Sequence, residues 1–496
     1  MRLLLLLCFC STASLAQQRN LQGIVNSCST QSLKSNLYYL ASAPLQGRLM
    51  GSHGDTLASK FVAASFKTNG IAAPYGKGKS YYQPITAVLR TDKATLTING
   101  KPFDYLNGWQ LYRAFPVDFK NVPVVLADYN TGAELFQNLP QIEVREKALL
   151  VNNLLTRDLV AKGQLDSLQK MMLKRGGLAI IWSGDALAPL LERQKARRFL
   201  PQYVQPEGEL NDPALMPIVG LTPERLKEML ANDKLATNPN GTLIGAGDKH
   251  VYELSATISL TLNRSFKETQ APNVIGIIKG TDTSLACIVI SAHHDHDGVN
   301  GKDIYYGSVD NASGTVAVME VAAMMNRAIK KGLRPKRTIV FASFTGEERG
   351  LLGSAWYVRH PVYPMAKTYA VLNIDMFGRV DTLHLRNKSA DSLNYAYILV
   401  KDTLNRGLRQ ALYAANDSSV KVTLDTHYES PQYMMRRLTG SDQYPFYERG
   451  VPFVRIDCGF SADYHKPTDT PDKINYSLLT KQTQLAFMTL WNLANK

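Results

Sequence analysis

Cysteine is scarce. The 496-residue chain has five, and two of them, Cys8 and Cys10, fall in the first ten residues. The three that follow, Cys28, Cys287 and Cys458, are too few for a disulfide scaffold. Cys287 sits in an apolar run and reads as a buried thiol, while the sequence leaves open whether Cys28 and Cys458 pair. Beyond the first residues, no run reaches the roughly 18 uninterrupted apolar residues of a membrane span. Long basic runs and aromatic–basic repeats are missing too. The formal net charge of +14 is therefore read as a surface and solubility property, and nucleic acid is not expected as a partner. There is no internal repeat and no low-complexity tract.

Hydrophobic residues make up 45% and charged residues 20% of the chain, the profile of a folded globular protein. The length suggests two or three domains. Met-Arg, the apolar Leu3 to Leu7 with Cys8, Phe9 and Cys10, and small residues at Ser14 and Ala16 read as a signal peptide, residues 1–16. Export to the periplasm or the exterior is the expectation. Residues 17–85 read as the N-terminal part of the domain that resumes after the insert, with a helical opening over 30–75, a polar loop Gln46-Gly-Arg-Leu-Met-Gly and Asp55 as the cap of a helix ending at Gly70. Residues 86–260 read as a self-contained β-rich α+β insert, in which no His, Asp, Glu or Cys cluster has ligand or nucleophile spacing. Its Asn238-Pro-Asn-Gly-Thr stretch reads as a turn.

From 261 to 496 strands and helices alternate, the pattern of an α/β domain whose sheet carries helices on both faces. The expected strands are 274–278, 286–291, 338–343, 369–374 and 451–456. They are continuous apolar runs, as in largely parallel strands buried on both sides. The helix expected over 312–331 is apolar all round and so reads as buried. In such sheets, sites form beyond the carboxyl ends of the strands. Four expected strands lead into candidate residues: His293 and Asp295; Glu347 and Glu348; Asp375; and His465. Asp310 stands at the mouth of the buried helix. Taken singly, each is more often a satisfied polar group. Together, His293, Asp310, Glu348, Asp375 and His465 supply two imidazoles and three carboxylates on one side of one sheet; the converging carboxylates would repel unless cations intervene, and such a mixed set suits zinc that is to remain reactive.

The stretches Ala-His-His-Asp-His, Ser-Val-Asp-Asn-Ala-Ser-Gly, Thr-Gly-Glu-Glu-Arg-Gly, Asn-Ile-Asp-Met and Asp-Tyr-His-Lys-Pro-Thr-Asp-Thr resemble, in order, the M28 family of zinc exopeptidases. The insert resembles a protease-associated domain less specifically. The resemblance implies a phosphorylase/hydrolase-like fold and two zinc ions per chain. It places His293 and Asp375 on one ion, Glu348 and His465 on the other, and Asp310 between them, before a cis Asp310–Asn311 peptide. It also implies that Asp295 orients His293 and that Glu347 is the general base toward a water shared by the metals. The activity implied is removal of N-terminal residues from peptides.

Alternatives remain. A glutamate-carboxypeptidase-like hydrolase would need an arginine for the free carboxylate, with Arg436 and Arg437 as candidates, although both also read as a solvated face. A glutaminyl cyclase would be a one-zinc acyltransferase, and a non-catalytic relative would keep only the scaffold. His53, His294, His296 and His427 read as loop or supporting groups. Tyr428 and Tyr433 read equally as intermediate-binding groups or surface tyrosines. Gln443 departs from the family's usual His in Ser-Asp-His-x-x-Phe. The sequon-like Asn311-Ala-Ser313 lies inside the metal motif, where a glycan would be incompatible with function. Side-chain preference and oligomeric state are not legible.

Overall fold

The computed structural model describes residues 19–113, 116–184, 187, 189, 191, 202–204, 216–233, 235–238, 243–244, 249–386 and 393–496. The expected signal peptide and residues 239–242 of the expected turn lie outside the described residues. The chain divides into two compact units, one of Met1–Ala87 with Thr269–Lys496 and one of Val88–Glu268.

The first unit begins with helices α1 (Thr30–Leu40) and α2 (His53–Thr68). The cap of α2 is Ser52, in extended conformation, whose side chain accepts from the Asp55 N–H. This corrects the expectation that Asp55 is the cap. A cap must stand outside the helix, and Asp55 lies inside the first turn, which frees its carboxylate for other partners.

The sheet of this unit is built from β1 (Val251–Ile278, through its end Val274–Ile278), β2 (Cys287–His293), β3 (Ile339–Phe344), β4 (Thr368–Ile374), β5 (Tyr395–Lys401), β6 (Thr423–Asp425) and β7 (Phe453–Asp457). Its order is β6-β5-β7-β4-β2-β3-β1. The four central strands β7, β4, β2 and β3 are parallel, while β1 and β5 run antiparallel to their neighbours β3 and β7. The fold is thus α/β with a mixed, largely parallel sheet. The continuous apolar runs have a simple cause. Ile288, Ile290 and Ala292 of β2 join one core with Ile339 and Phe341 of β3. The alternating Cys287 and Val289 join a second core with Val340, Ala342 and Phe344. Side chains alternate along a strand, so strands of a sheet covered on both faces read as near-continuous apolar runs.

Helix α3 (Ser313–Lys330) and helix α4 (Tyr476–Ala494) both contribute to the first of those cores. The sequence reading passes over β5 and β6, although the Tyr-Ala-Tyr-Ile-Leu-Val run of β5 is rich in strand-forming residues. Cys28, Cys287 and Cys458 are buried free thiols.

The second unit has its own parallel strands, Val117–Ala127, Ala148–Val151, Ala179–Ser183 and Ile218–Leu221. Helices Asn153–Ala161, Leu165–Lys174 and Pro223–Leu230 accompany them. Two further cores, around Val124, Leu150 and Ile181 and around Val125, Leu149 and Ile180, lie on the two faces of these strands.

Candidate metal centre

Each parallel strand ends where chemistry begins, as expected for an open α/β sheet. His293 is the last residue of β2, and Asp375 directly follows β4. After β3, the chain turns through Gly346 in a left-handed conformation, where a side chain would strike the Met50 sulfur at 2.6 Å, and so presents Glu347 and Glu348. A loop from β7 brings His465. Asp310 precedes α3, and its peptide bond to Asn311 is cis.

Asp310 lies between two histidines. Its Oδ1 is 3.3 Å from His293 Nε2, and its Oδ2 is 3.1 Å from His465 Nε2. Asp375 Oδ1 stands 3.5 Å from the same His293 nitrogen, and Glu348 Oε2 3.3 Å from the same His465 nitrogen. Two sets of donor atoms follow, His293–Asp310–Asp375 and Asp297–Glu348–His465, each with one ligand atom per residue and all within 4.8 Å of one another. A third set, His296–Asp310–Glu348, overlaps both. His293 Nε2 is buried and has no hydrogen-bond partner, although it lies 3.3 to 3.8 Å from oxygens of three carboxylates, Asp310, Asp375 and Glu347. A buried imidazole nitrogen without a bond is costly, and a divalent cation among these oxygens would remove that cost. The donors are imidazole and carboxylate, the mixture that suits catalytic zinc.

The electrostatics of these side chains by themselves point the same way. Burial alone would push His465 down, but Glu348, Asp297 and Asp310 outweigh it and push it up to about 12. Asp310 sits well below the usual carboxylate range, where burial opposes the shift and its pairing with His293 and His465 prevails. Burial pushes Glu347 well up, with His293 opposing and Glu348, Asp375 and Asp442 reinforcing. Protons thus occupy the imidazoles where cations would otherwise balance the charge.

Around these residues stands a supporting set. Asp295 accepts from the main-chain N–H groups of Glu347 and Glu348 at 3.1 and 3.4 Å. Its Oδ1 is 3.6 Å from His293 Nδ1, whose nearer acceptor is the Asp295 carbonyl oxygen at 3.2 Å. The Asp295 carboxylate thus holds the two acidic residues through their N–H groups, while its carbonyl oxygen rather than its carboxylate lies within hydrogen-bond range of His293. His296, expected as a supporting group, has its Nδ1 2.8 Å from Glu348 Oε1, which leaves Oε2 to face His465. His294 is held between Asp55 Oδ1 at 3.1 Å and Ser343 Oγ at 2.9 Å. His53 is exposed at the start of α2, and His427 packs against Tyr433 with the two rings tilted.

The sequence reading misses several groups. Asp297 Oδ2 is 3.0 Å from His465 Nδ1, Arg455 Nη2 is 2.9 Å from Asp375 Oδ2, and Asp469 accepts from the Val309 and Asp310 N–H groups. Arg455 carries a readable signal, because a charged residue inside an apolar parallel strand needs a buried partner. The reading of Arg437 as solvated face is corrected. It is buried, pairs with Asp457 at 2.5 Å and lies over the rings of Tyr428 and Phe460. Tyr428 is buried rather than on the surface, and Arg436 is exposed. Gln443 is fully engaged, accepting from Asn373 and donating to the Arg437 and Leu438 carbonyls. Asn311 and Ser313 are wholly buried, which leaves no room for a glycan.

Residues 273–490 match the sequence model of peptidase family M28. A glutamate carboxypeptidase 2 homolog from Caenorhabditis elegans is 28% identical over 303 residues, covering 57% of this chain and 37% of the relative. The chain thus spans little more than a third of that relative's length. An aminopeptidase from Aneurinibacillus sp. strain AM-1 is similar in fold, with a TM-score of 0.56 at 19% identity over 96% of both chains. BSAP, a zinc aminopeptidase from Bacillus subtilis, has a TM-score of 0.52 at 17% identity, covering 94% of this chain and 96% of its own. The domain that carries the ordered set of histidines and carboxylates at the strand ends is thus the part of the chain, residues 273–490, that matches peptidase family M28.

Proposed function

We propose that the chain is an exported zinc-dependent exopeptidase that holds two zinc ions and releases N-terminal residues from peptides. One observation carries the reading. Two donor sets, His293–Asp310–Asp375 and Asp297–Glu348–His465, with Asp310 Oδ2 3.1 Å from His465 Nε2, leave Glu347 outside both yet only 3.8 Å from His293. A carboxylate beside a metal set but not in it is placed for proton transfer.

His293, Asp310 and Asp375 would hold one ion, and Asp310, Glu348 and His465 the other. Bound zinc supplies Lewis-acid polarisation of the scissile carbonyl and acidifies a nearby water. Glu347 takes the proton from the attacking water and returns it to the departing amine. Its side chain is 12% exposed, and His465 is the most open ligand at 23%, so substrate reaches the site from that side. Asp295, through the Glu347 and Glu348 N–H groups, keeps one acid on water and the other on metal.

The C. elegans relative is called a glutamate carboxypeptidase homolog, which supports a second reading. Arg437 is spent on Asp457, so a substrate carboxylate would fall to Arg436, exposed and 5.4 Å from the Phe460 ring centroid. A panel of aminoacyl-chromogenic substrates, N-blocked peptides and N-terminal glutaminyl peptides, with and without chelator, decides among these. Release only from free N-termini, with two zinc per chain, supports the lead. Cleavage of N-blocked peptides alone overturns it in favour of the carboxypeptidase, and cyclisation with one zinc favours the cyclase.

A further inference from the structure

We propose that Arg48 is a positioning residue that sets the spacing of His293 and Asp310 before metal arrives. This inference rests on the metal reading above. It starts from the polar loop Gln46-Gly-Arg-Leu-Met-Gly, which the proposed chemistry leaves unused.

Arg48 is completely buried, and its guanidinium donates to four main-chain carbonyls. Nε reaches His294 at 2.7 Å, Nη1 reaches Leu40 at 2.6 Å and Tyr306 at 2.7 Å, and Nη2 reaches Gly307 at 2.8 Å. His294 is the neighbour of His293, and Gly307 lies three residues before Asp310. The fork therefore closes both ends of the loop that separates the two residues. In return, the His296 N–H donates to the Arg48 carbonyl at 3.3 Å. Gly47 seats the strap on the hairpin inside that loop, where a Cβ would lie 2.4 Å from the Gly298 oxygen and 2.5 Å from the Tyr305 oxygen. Gln46 and Arg48 both hold left-handed backbone conformations, at φ 44° and 51°, which non-glycine residues adopt only when their surroundings impose them.

The choice of residue is informative. Among the described residues, no carboxylate forms an ion pair with Arg48, so a buried charge has been spent entirely on carbonyls. A neutral side chain could fill the space without that desolvation. Only a planar fork with five N–H donors reaches carbonyls in such different directions; a lysine has three donors on one atom. Asp295, Asp469, Asp310 and Glu348 act on the guanidinium through their fields, and the cation in turn relieves the crowding of those carboxylates.

The test is Arg48→Lys, which keeps the charge and removes the fork. Zinc affinity would be measured by chelator competition, coordination geometry by the visible spectrum of the cobalt-substituted protein, and folding by circular dichroism with and without zinc. The expected result is a folded protein whose zinc dissociation constant rises about tenfold or more, in the range seen when groups that orient metal ligands are lost, with an altered cobalt spectrum. A variant that folds only when zinc is added also supports the proposal. Wild-type affinity and spectrum in a folded variant overturn it, and so does a variant unfolded under both conditions, because Arg48 would then serve the fold alone. If the wild-type protein takes up no divalent ion, the metal reading falls and the strap with it. If the wild type binds two ions and the variant binds them equally well, only the strap falls.

Discussion

At the scale of single residues, two adjacent acids face different partners. Glu348 faces His465, and Glu347 faces the unbonded side of His293, although both hang from one carboxylate through their N–H groups. Glu347→Gln is expected to keep wild-type metal content, measured by elemental analysis, while turnover falls at least about a hundredfold, the scale of a lost general base. Asp310→Ala should behave differently, because both histidines face its carboxylate; metal content and activity should fall together. Full activity in the first variant, or full metal content in the second, would contradict the roles proposed for Glu347 and Asp310. The motif residues stand out in the sequence only as a set, at the ends of its apolar runs. Arg48, Asp297 and Asp469 are not, because a polar residue in a loop looks the same whether it is solvated or buried against a ligand.

At the scale of elements, the start of α3 is fitted to the metal loop. The Asn311 side chain accepts from the Gly314 and Met376 N–H groups and donates to the Ile374 carbonyl. It thereby ties the helix to the end of β4 beside Asp375. A Cβ on Gly314 would lie 2.3 Å from Asn311 Oδ1 and 2.8 Å from the Ile374 oxygen. Gly314→Ala should therefore weaken zinc binding, read by chelator competition, even though alanine favours a helix over glycine by roughly 1 kcal/mol. Deeper in the same helix, Met324 is fully buried. Met324→Ala should cost about 2–5 kcal/mol in denaturant unfolding and leave zinc affinity unchanged. The helix itself is readable from its all-round apolarity. Its fit to β4 is not, since that depends on residues some 60 positions apart in the chain.

At the scale of the whole molecule, the metal-free protein should carry protons where ions would sit. His465 is raised to about 12 against about 6.5 for an unperturbed imidazole. A raised imidazole stabilises the metal-free fold fully below pH about 6.5 and loses that contribution as pH climbs toward its folded value. Zinc must displace the proton, so zinc affinity should rise steadily between pH 6 and 8, with proton release on binding, both measurable by calorimetry in buffers of different ionisation enthalpy. Affinity that is flat or falling over that interval would contradict the assignment of His465 to metal. Removing zinc with chelator should lower the melting temperature, because a ligand at a hundred times its dissociation constant adds about 2.7 kcal/mol to the native state.

The sequence by itself determined the fold class, through apolar runs and alternation that only a doubly covered sheet accommodates, and it carried the ordered motifs of family M28. Those are local properties, written in residue type and period. Tertiary structure decided the rest. It showed that Ser52 rather than Asp55 caps α2, that Arg437 is buried against Asp457, that His296 reaches Glu348, and that an arginine from the opening segment grips the loop between His293 and Asp310. Each of these depends on which distant segment lies against a given side chain. The same residue type is a solvated loop group or a buried tether according to that neighbour, and the neighbour is not written in the local sequence.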